Sequence, residues 1–275
     1  MDKLNKEKYV YVLLYNEEAL VIHYDCNELL CYISSSRKDI RIFTDDSRDG
    51  GLHTILTGMT HYLPSIKKIK TIIIDPLLVN YKLRSCKDLF FNFTSLERII
   101  GLEYLNTSEV TNMEGMFHNC RKLTSLNLKG LDTSKVDDMS SMFRHCKNLT
   151  NLDLSGFNTS NVRDMDNMFS YCEGLTNLNL SSFNTSKVAG TCYMFCGCKN
   201  LKKIYVRTNW DTSNVRDSEE MFLDCPKLIG GRGTRTRNDQ DIVDFDPKLV
   251  DKTFARIDGG KDAPGYLTYN YKKLL

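Results

Sequence analysis

The chain has 275 residues, of which 26% are charged, and a formal net charge of +2 at pH 7. That near-balance argues against a nucleic-acid binder, whose electrostatic footprint is a large local excess of Lys and Arg. No apolar run approaches the roughly 18 residues of a membrane-spanning helix, so no membrane insertion is expected.

Residues 1–8 are charged, and residues 9–14 form a six-residue apolar run. Such a run is too short for the hydrophobic region of a secretory signal and reads as a strand. On this reading the chain carries no export signal of its own. Residues 9–15 and 19–24 are β-rich runs around Asn16-Glu17-Glu18, a hairpin signal. Residues 40–43 and 69–74 are further strands, the second stopped by Asp75-Pro76. Gly50-Gly51 marks a loop; without a strand–loop–helix context it is no phosphate cradle. Residues 1–85 are therefore expected to form a β-rich N-terminal cap, because the exposed end of a repeat stack needs covering.

From residue 86 to residue 229 the chain repeats itself. The pair Met-Phe recurs at 116/117, 142/143, 168/169, 194/195 and 221/222, in steps of 26, 26, 26 and 27 residues. A cysteine follows each Phe by three residues: Cys120, Cys146, Cys172, Cys198 and Cys225. A fixed period of that size predicts stacked coils, each burying its apolar face against its neighbours. The fold class expected is an α/β solenoid, a right-handed, leucine-rich-repeat-like array with parallel strands about 4.8 Å apart.

Within one coil, Met139, Met142, Phe143 and Cys146 stand at i, i+3, i+4 and i+7, the spacing of one buried helical face, with Asp138 as N-cap. The next coil repeats this with Asp164 before Met165, Met168, Phe169 and Cys172. Leu152 and Leu154 alternate with polar residues as in a short strand. An Asn/Asp-Thr-Ser turn follows in each coil, at 106, 132, 158, 184 and 211, where short polar side chains bond their own backbone. Stacked, these turns predict a polar ladder that satisfies the amides of the bend. Val110, Val136, Val162, Val188 and Val215 return the chain to the core. The first coil is irregular, with Leu89-Phe90 in the Met-Phe place and Phe93 in the cysteine place.

Residues 158–183 read NTSNVRDMDNMFSYCEGLTNLNLSSF. Such repeats resemble the BspA-type leucine-rich-repeat family of bacterial surface antigens, whose coils have the form NTSxVTxMSxMFxxCxxLTxLDLSxF. Asn209-Trp210-Asp211-Thr212-Ser213 is similar to the family's last coil. Ala255-Arg256-Ile257-Asp258-Gly259-Gly260, with Pro264-Gly265-Tyr266, is similar to its closing segment. The resemblance implies an adhesion-type surface or secreted protein without a shared chemistry. The expected function is a non-catalytic scaffold for protein–protein or protein–glycan interaction. The alternatives are a structural or self-associating protein and an intracellular interaction module.

Past residue 229 the period breaks. Gly230-Gly231-Arg232-Gly233-Thr234-Arg235-Thr236-Arg237 reads as a solvated basic loop, and residues 230–275 as a C-terminal loop and cap, fraying after 269.

Candidate sites are few. Cys192, Cys196 and Cys198 lie within seven residues. A structural zinc site needs four ligands at set spacings, so no metal is expected. Cys198 points inward by period; Cys196 is expected on the outer side of the turn. The coil cysteines should be buried, free and unreactive thiols. His118 and His145 follow their Phe by one and two residues and are expected at the surface, without a shared place. No Ser-His-Asp order, paired-carboxylate motif or nucleotide loop is present, so neither enzymatic activity nor a cofactor is expected. The outward strand positions read Asn127, Asp153 and Asn179, then Lys203, Tyr205 and Arg207. This row is the candidate binding stripe, since Tyr and Arg are enriched at energetic hot spots.

Overall fold

The computed structural model describes residues 10–15, 18–24, 41–44, 64–231, 255–256 and 266–269. Residues 1–9, Gly50-Gly51, residues 232–237 and most of the closing segment, for which expectations were given above, lie outside them.

β1 (Val10–Tyr15) and β2 (Ala19–Tyr24) form the expected hairpin, with Tyr15 opposite Ala19. β3 (Arg41–Thr44) adds antiparallel to the other side of β1. β4 (Thr71–Ile74) and β5 (Arg98–Ile100) add in parallel beyond β2, giving the order β3-β1-β2-β4-β5. Leu20, Ile22, Ile72 and Ile74 are buried while Ala19, Val21, Thr71 and Ile73 are half-buried, the period-two pattern of a sheet with one face inward. Thr71 pairs with Arg98, an offset of 27 residues, so parallel stacking begins upstream of position 85. Asp75 turns the chain out of β4, its carboxylate accepting the Leu77 N–H at 2.7 Å as Pro76 opens a 3₁₀ turn, Pro76–Asn80. Gly101 closes β5 at φ 80°; a Cβ there would strike the Ile74 carbonyl oxygen, so only glycine fits.

The repeats contribute very short strands. β6 (Ser125–Leu126) pairs in parallel with β7 (Asn151–Leu152). β8 (Asn177–Asn179), β9 (Lys203–Val206) and β10 (Leu267–Tyr269) form a second parallel set, in the order β10-β9-β8. A further line of parallel bridges joins Ser85, Asn112, Asp138, Asp164, Gly190 and Asp217, one residue per repeat.

The helix expected in each repeat does not form; among the described residues there is no α-helix, only 3₁₀ turns at Pro64–Lys68, Pro76–Asn80 and Leu102–Tyr104. The reason lies in where the amides go. An α-helix directs its N–H groups to carbonyls four residues back. Here Met139, Ser141, Phe143 and His145 donate sideways to Asp164, Asp166, Met168 and Ser170 of the next repeat, at 2.7–3.0 Å. The residues between them, Met142 and Arg144, donate three residues back. Two left-handed residues per repeat make this alternation possible, such as Ser141 (φ 56°) with His145 (φ 60°), and Asn167 (φ 58°) with Tyr171 (φ 57°). Asp138 still caps, its Oδ1 accepting the Ser140 N–H at 2.9 Å, but as a local turn and not as a helix start.

Three ladders hold the stack together. Phe90, Phe117, Phe143, Phe169, Phe195 and Phe222 lie ring on ring at 5.5–5.8 Å between centroids, and all six are fully buried or nearly so. Each coil cysteine donates its S–H to the Phe carbonyl of the preceding coil, Cys146 to Phe117 at 3.1 Å and Cys172 to Phe143 at 3.0 Å. In the polar turns, each buried threonine both accepts and donates: Thr133 Oγ1 accepts from the Asn158 N–H at 2.8 Å and donates to the Asn158 carbonyl at 3.0 Å. Thr107, Thr159 and Thr185 do the same one coil apart. The predicted polar ladder is therefore present. The phenylalanine ladder ends on Tyr266, which meets Phe222 edge-on at 5.1 Å, and Trp210 Nε1 donates to the Ala255 carbonyl at 2.9 Å.

Candidate functional site

The strand face offers the outward row. Asn127, Asp153 and Asn179 are exposed, each between buried or half-buried leucines. Their side-chain oxygens accept the N–H two residues on: Lys129 at 3.3 Å, Ser155 at 3.0 Å and Ser181 at 3.1 Å. One part of each side chain thus shapes its own turn, and the Ser155 hydrogen bonds hold the Asp153 carboxyl below its ordinary range. Further along, the row changes character. Lys203 is half-buried and donates from Nζ to the Gly230 carbonyl at 2.8 Å. Tyr205 is half-buried on β9, in register with Asn179 on one side and with Thr268 of β10 on the other. Arg207 is half-buried, and its Nε and Nη2 are shielded from solvent with no hydrogen-bond partner among the described residues. The six residues lie along one face, with the exposed Asn127, Asp153 and Asn179 at one end and the half-buried Lys203, Tyr205 and Arg207 at the other.

The cysteine cluster is rearranged relative to expectation. Cys196 is 3% exposed, not outward, because it packs beside Tyr171; burial pushes its thiol up to about 11. Cys192 is the half-buried one, and its N–H donates to Asp166 Oδ1 at 2.7 Å. No disulfide joins any of the eight described cysteines. Burial pushes the coil thiols far up, to about 12 for Cys146. A thiol so shielded, already donating to a carbonyl, is a poor nucleophile. Among the described residues no group of three or more His, Cys, Asp or Glu is placed to hold a metal ion.

The histidines are not separate surface groups. His118 and His145 are both half-buried and stack at 6.0 Å; His145 stacks on Tyr171 at 4.6 Å, and Phe91 meets His118 edge-on at 5.0 Å. Tyr171 in turn lies over Gly197, where a Cβ would come within 2.6 Å of its ring. Burial, then Arg144, then His145, depress His118 to about 4, and burial and Arg144 lower His145. The faces of these rings are spent on one another. The sequence signal for this column was the recurrence of an aromatic just after Phe-x in two coils, hidden by the one-residue offset of His118.

A line of carboxylates runs along the bridging positions. Asp166 is pushed up to about 6, chiefly by burial and then by Asp164, which is itself raised. Gly190 sits against both; a Cβ there would meet Asp166 Oδ1 at 2.8 Å.

Against known proteins, the chain matches the family described as "Mycoplasma protein of unknown function, DUF285" over residues 84–206, 123–230 and 175–255. Together these matches span residues 84–255, more than half of the chain. The chain belongs to the DUF285 family. Its repeats supply most of the matched region, including the Met-Phe and cysteine ladders. Among solved structures, the chain is similar to a leucine-rich cell surface protein from Faecalibacterium prausnitzii A2-165. The TM-score is 0.32 at 19% identity, covering 74% of this chain and 55% of that one. The chain thus spans about half the length of that protein. No curated protein matches it.

Proposed function

We propose that this DUF285 protein is a non-catalytic leucine-rich-repeat scaffold, a right-handed solenoid of the BspA type that presents its strand face to a protein or glycan ligand. Residues 1–85 serve as cap, 86–229 as the repeat array and 230–275 as the closing loop and cap. Adhesion at a cell surface is the use that the BspA resemblance implies. The observation that carries the reading is the contrast between inward and outward positions. Phe117, Phe143, Phe169 and Phe195 are identical and fully buried, whereas the outward strand position one coil apart changes from Asn127 to Asp153, Asn179 and Tyr205. A purely structural stack has no need for that divergence. The conspicuous nucleophiles, the coil thiols, are occupied as hydrogen-bond donors, which favours a binding role over a chemical one.

The test is a set of outward substitutions on the full chain, Asn179→Ala and Tyr205→Ala, assayed against extracellular-matrix proteins and a glycan array. Loss of a parental interaction by variants that still melt cooperatively above the assay temperature supports the reading; Asn179 is exposed and Tyr205 half-buried, so neither change opens a core cavity. An interaction that survives both changes places the contact off the strand face.

A further inference from the structure

We infer that the strand face of the three central repeats is built for a neutral polyhydroxylated chain, an uncharged glycan, lying along the stacking direction. This rests on the scaffold reading above and narrows its ligand.

Ser125, Asn151 and Asn177 occupy the equivalent outward place one coil apart, and Asn127, Asp153 and Asn179 the next one along; all six are exposed. Thr124, Thr150 and Thr176, just before them, are exposed as well. In a chain that is 26% charged, this face carries two ionic groups, Asp153 and Lys129, of opposite sign and close enough that the lysine helps hold the carboxyl below its ordinary range, so the face is charge-balanced. Other charged residues stand elsewhere on the coil, some paired between repeats, as in Lys135 with Glu109 at 2.9 Å and Lys147 with Glu173 at 2.8 Å.

The groups that remain are amides and hydroxyls, each able to donate and accept. Sugar hydroxyls have the same dual character, and an uncharged chain asks for no counter-charge. A protein partner would be expected to find an apolar or aromatic centre rimmed by charge. The first aromatic in the row is Tyr205, at its C-terminal end and half-buried. An acidic partner would need a cluster of cations here; Lys129 is opposed by Asp153, and Lys203 further along has its Nζ bound to the Gly230 carbonyl.

Availability supports the same reading. The side chains of Ser125 and Asn151 have no hydrogen-bond partner among the described residues, and the Asn177 amide has a long contact to Thr176 Oγ1 at 3.5 Å. Neighbouring strands of a sheet lie about 4.8 Å apart, on the order of the length of one sugar residue. An extended oligosaccharide can therefore meet one polar pair per coil in succession: Ser125 with Asn127, Asn151 with Asp153, Asn177 with Asn179.

The experiment uses the full chain labelled with ¹⁵N, titrated with cellohexaose, chitohexaose and xylohexaose, and separately with a heparin hexasaccharide and a poly-glutamate peptide. At least one neutral oligosaccharide should shift the side-chain amides of Asn151 and Asn177 saturably, with affinity rising with its length. The double variant Asn151→Ala, Asn177→Ala should melt with the parent and bind about tenfold more weakly, the loss expected for one or two net hydrogen bonds. The inference is overturned if no neutral oligosaccharide gives a saturable shift. It is overturned equally if the double variant binds like the parent, or if heparin or the peptide shifts the same amides. If the neutral sugars fail while Tyr205→Ala abolishes an interaction with a matrix protein, the scaffold reading stands and the glycan assignment falls.

Discussion

Replacing Phe169 by alanine removes the ring near the middle of a stack of six. Phe169 is fully buried, with Phe143 at 5.7 Å and an interplanar angle of 7° on one side, and Phe195 at 5.8 Å and 3° on the other. Truncating a buried phenylalanine costs about 3–5 kcal/mol through lost transfer energy and the cavity left behind. Two near-parallel ring contacts, each about 0.5–1.5 kcal/mol beyond area burial, place this site in the upper part of that range. The neighbouring rings are held in register by the backbone bonds Phe143 N–H to Met168 O and Phe169 N–H to Met194 O, both 2.9 Å, so they cannot close the gap. An expected loss of about 4–5 kcal/mol approaches the whole stability of many domains. Because each coil leans on its neighbours alone, the lesion should also weaken the coupling between the two halves of the array. Urea unfolding followed by tryptophan fluorescence and by far-UV circular dichroism should show a lower midpoint, with the two probes no longer coincident. Phe222→Ala, at the end of the stack with one parallel neighbour and Tyr266 edge-on, should cost less. A loss below about 2 kcal/mol at Phe169, or an equal loss at Phe222, would refute the reasoning that the ring ladder carries the array.

Three further outcomes are expected. Burial pushes the Asp166 carboxyl up from an ordinary 3.8 to about 6, so ionising it costs the native state, and its contribution falls as pH rises through that interval. Asp166→Asn, which keeps an acceptor for the Cys192 N–H, should therefore raise the melting temperature near neutral pH and leave it unchanged near pH 4; a gain at acid pH instead would reverse the sign argument. Thr159→Val should cost about 1–3 kcal/mol, since it strands the Asn184 amide that now donates to Thr159 Oγ1 at 2.8 Å. Thr159→Ser should restore most of it in the same calorimetric assay. Native labelling with a maleimide followed by peptide mass spectrometry should modify Cys192 ahead of Cys196, and should spare Cys120, Cys146, Cys172, Cys198 and Cys225 until the chain unfolds; early modification of any of the five would contradict their burial.

The amino-acid sequence by itself determined the period, the inward residues and the polar ladder. Each repeat must bury the same face on the same neighbour, so Met139, Phe143, Cys146 and Leu149 recur in place and all are buried. Asn158-Thr159-Ser160 announced its turn because those side chains bond locally, Asn158 Oδ1 accepting from the Ser160 N–H at 3.1 Å. The outward places of Asn127, Asp153 and Asn179 were legible from simple alternation. What the sequence left open was the path of the Met-Phe segment. The i, i+3, i+4, i+7 spacing suits a helical face and a turn-rich ribbon alike. The choice fell to inter-repeat hydrogen bonding at residues such as Ser141 and Tyr171, whose left-handed conformations carry no glycine signal. The pairing of His118 with His145 was decided the same way, by how far two side chains reach across a coil and not by their places in the period. The end of the candidate stripe was decided by distant chain: β10, about sixty residues beyond β9, lies alongside it, and the Gly230 carbonyl takes the Lys203 ammonium. Local pattern fixes which residues face inward because burial is repeated in every coil; contacts between coils and caps are not repeated, so only the folded chain defines them.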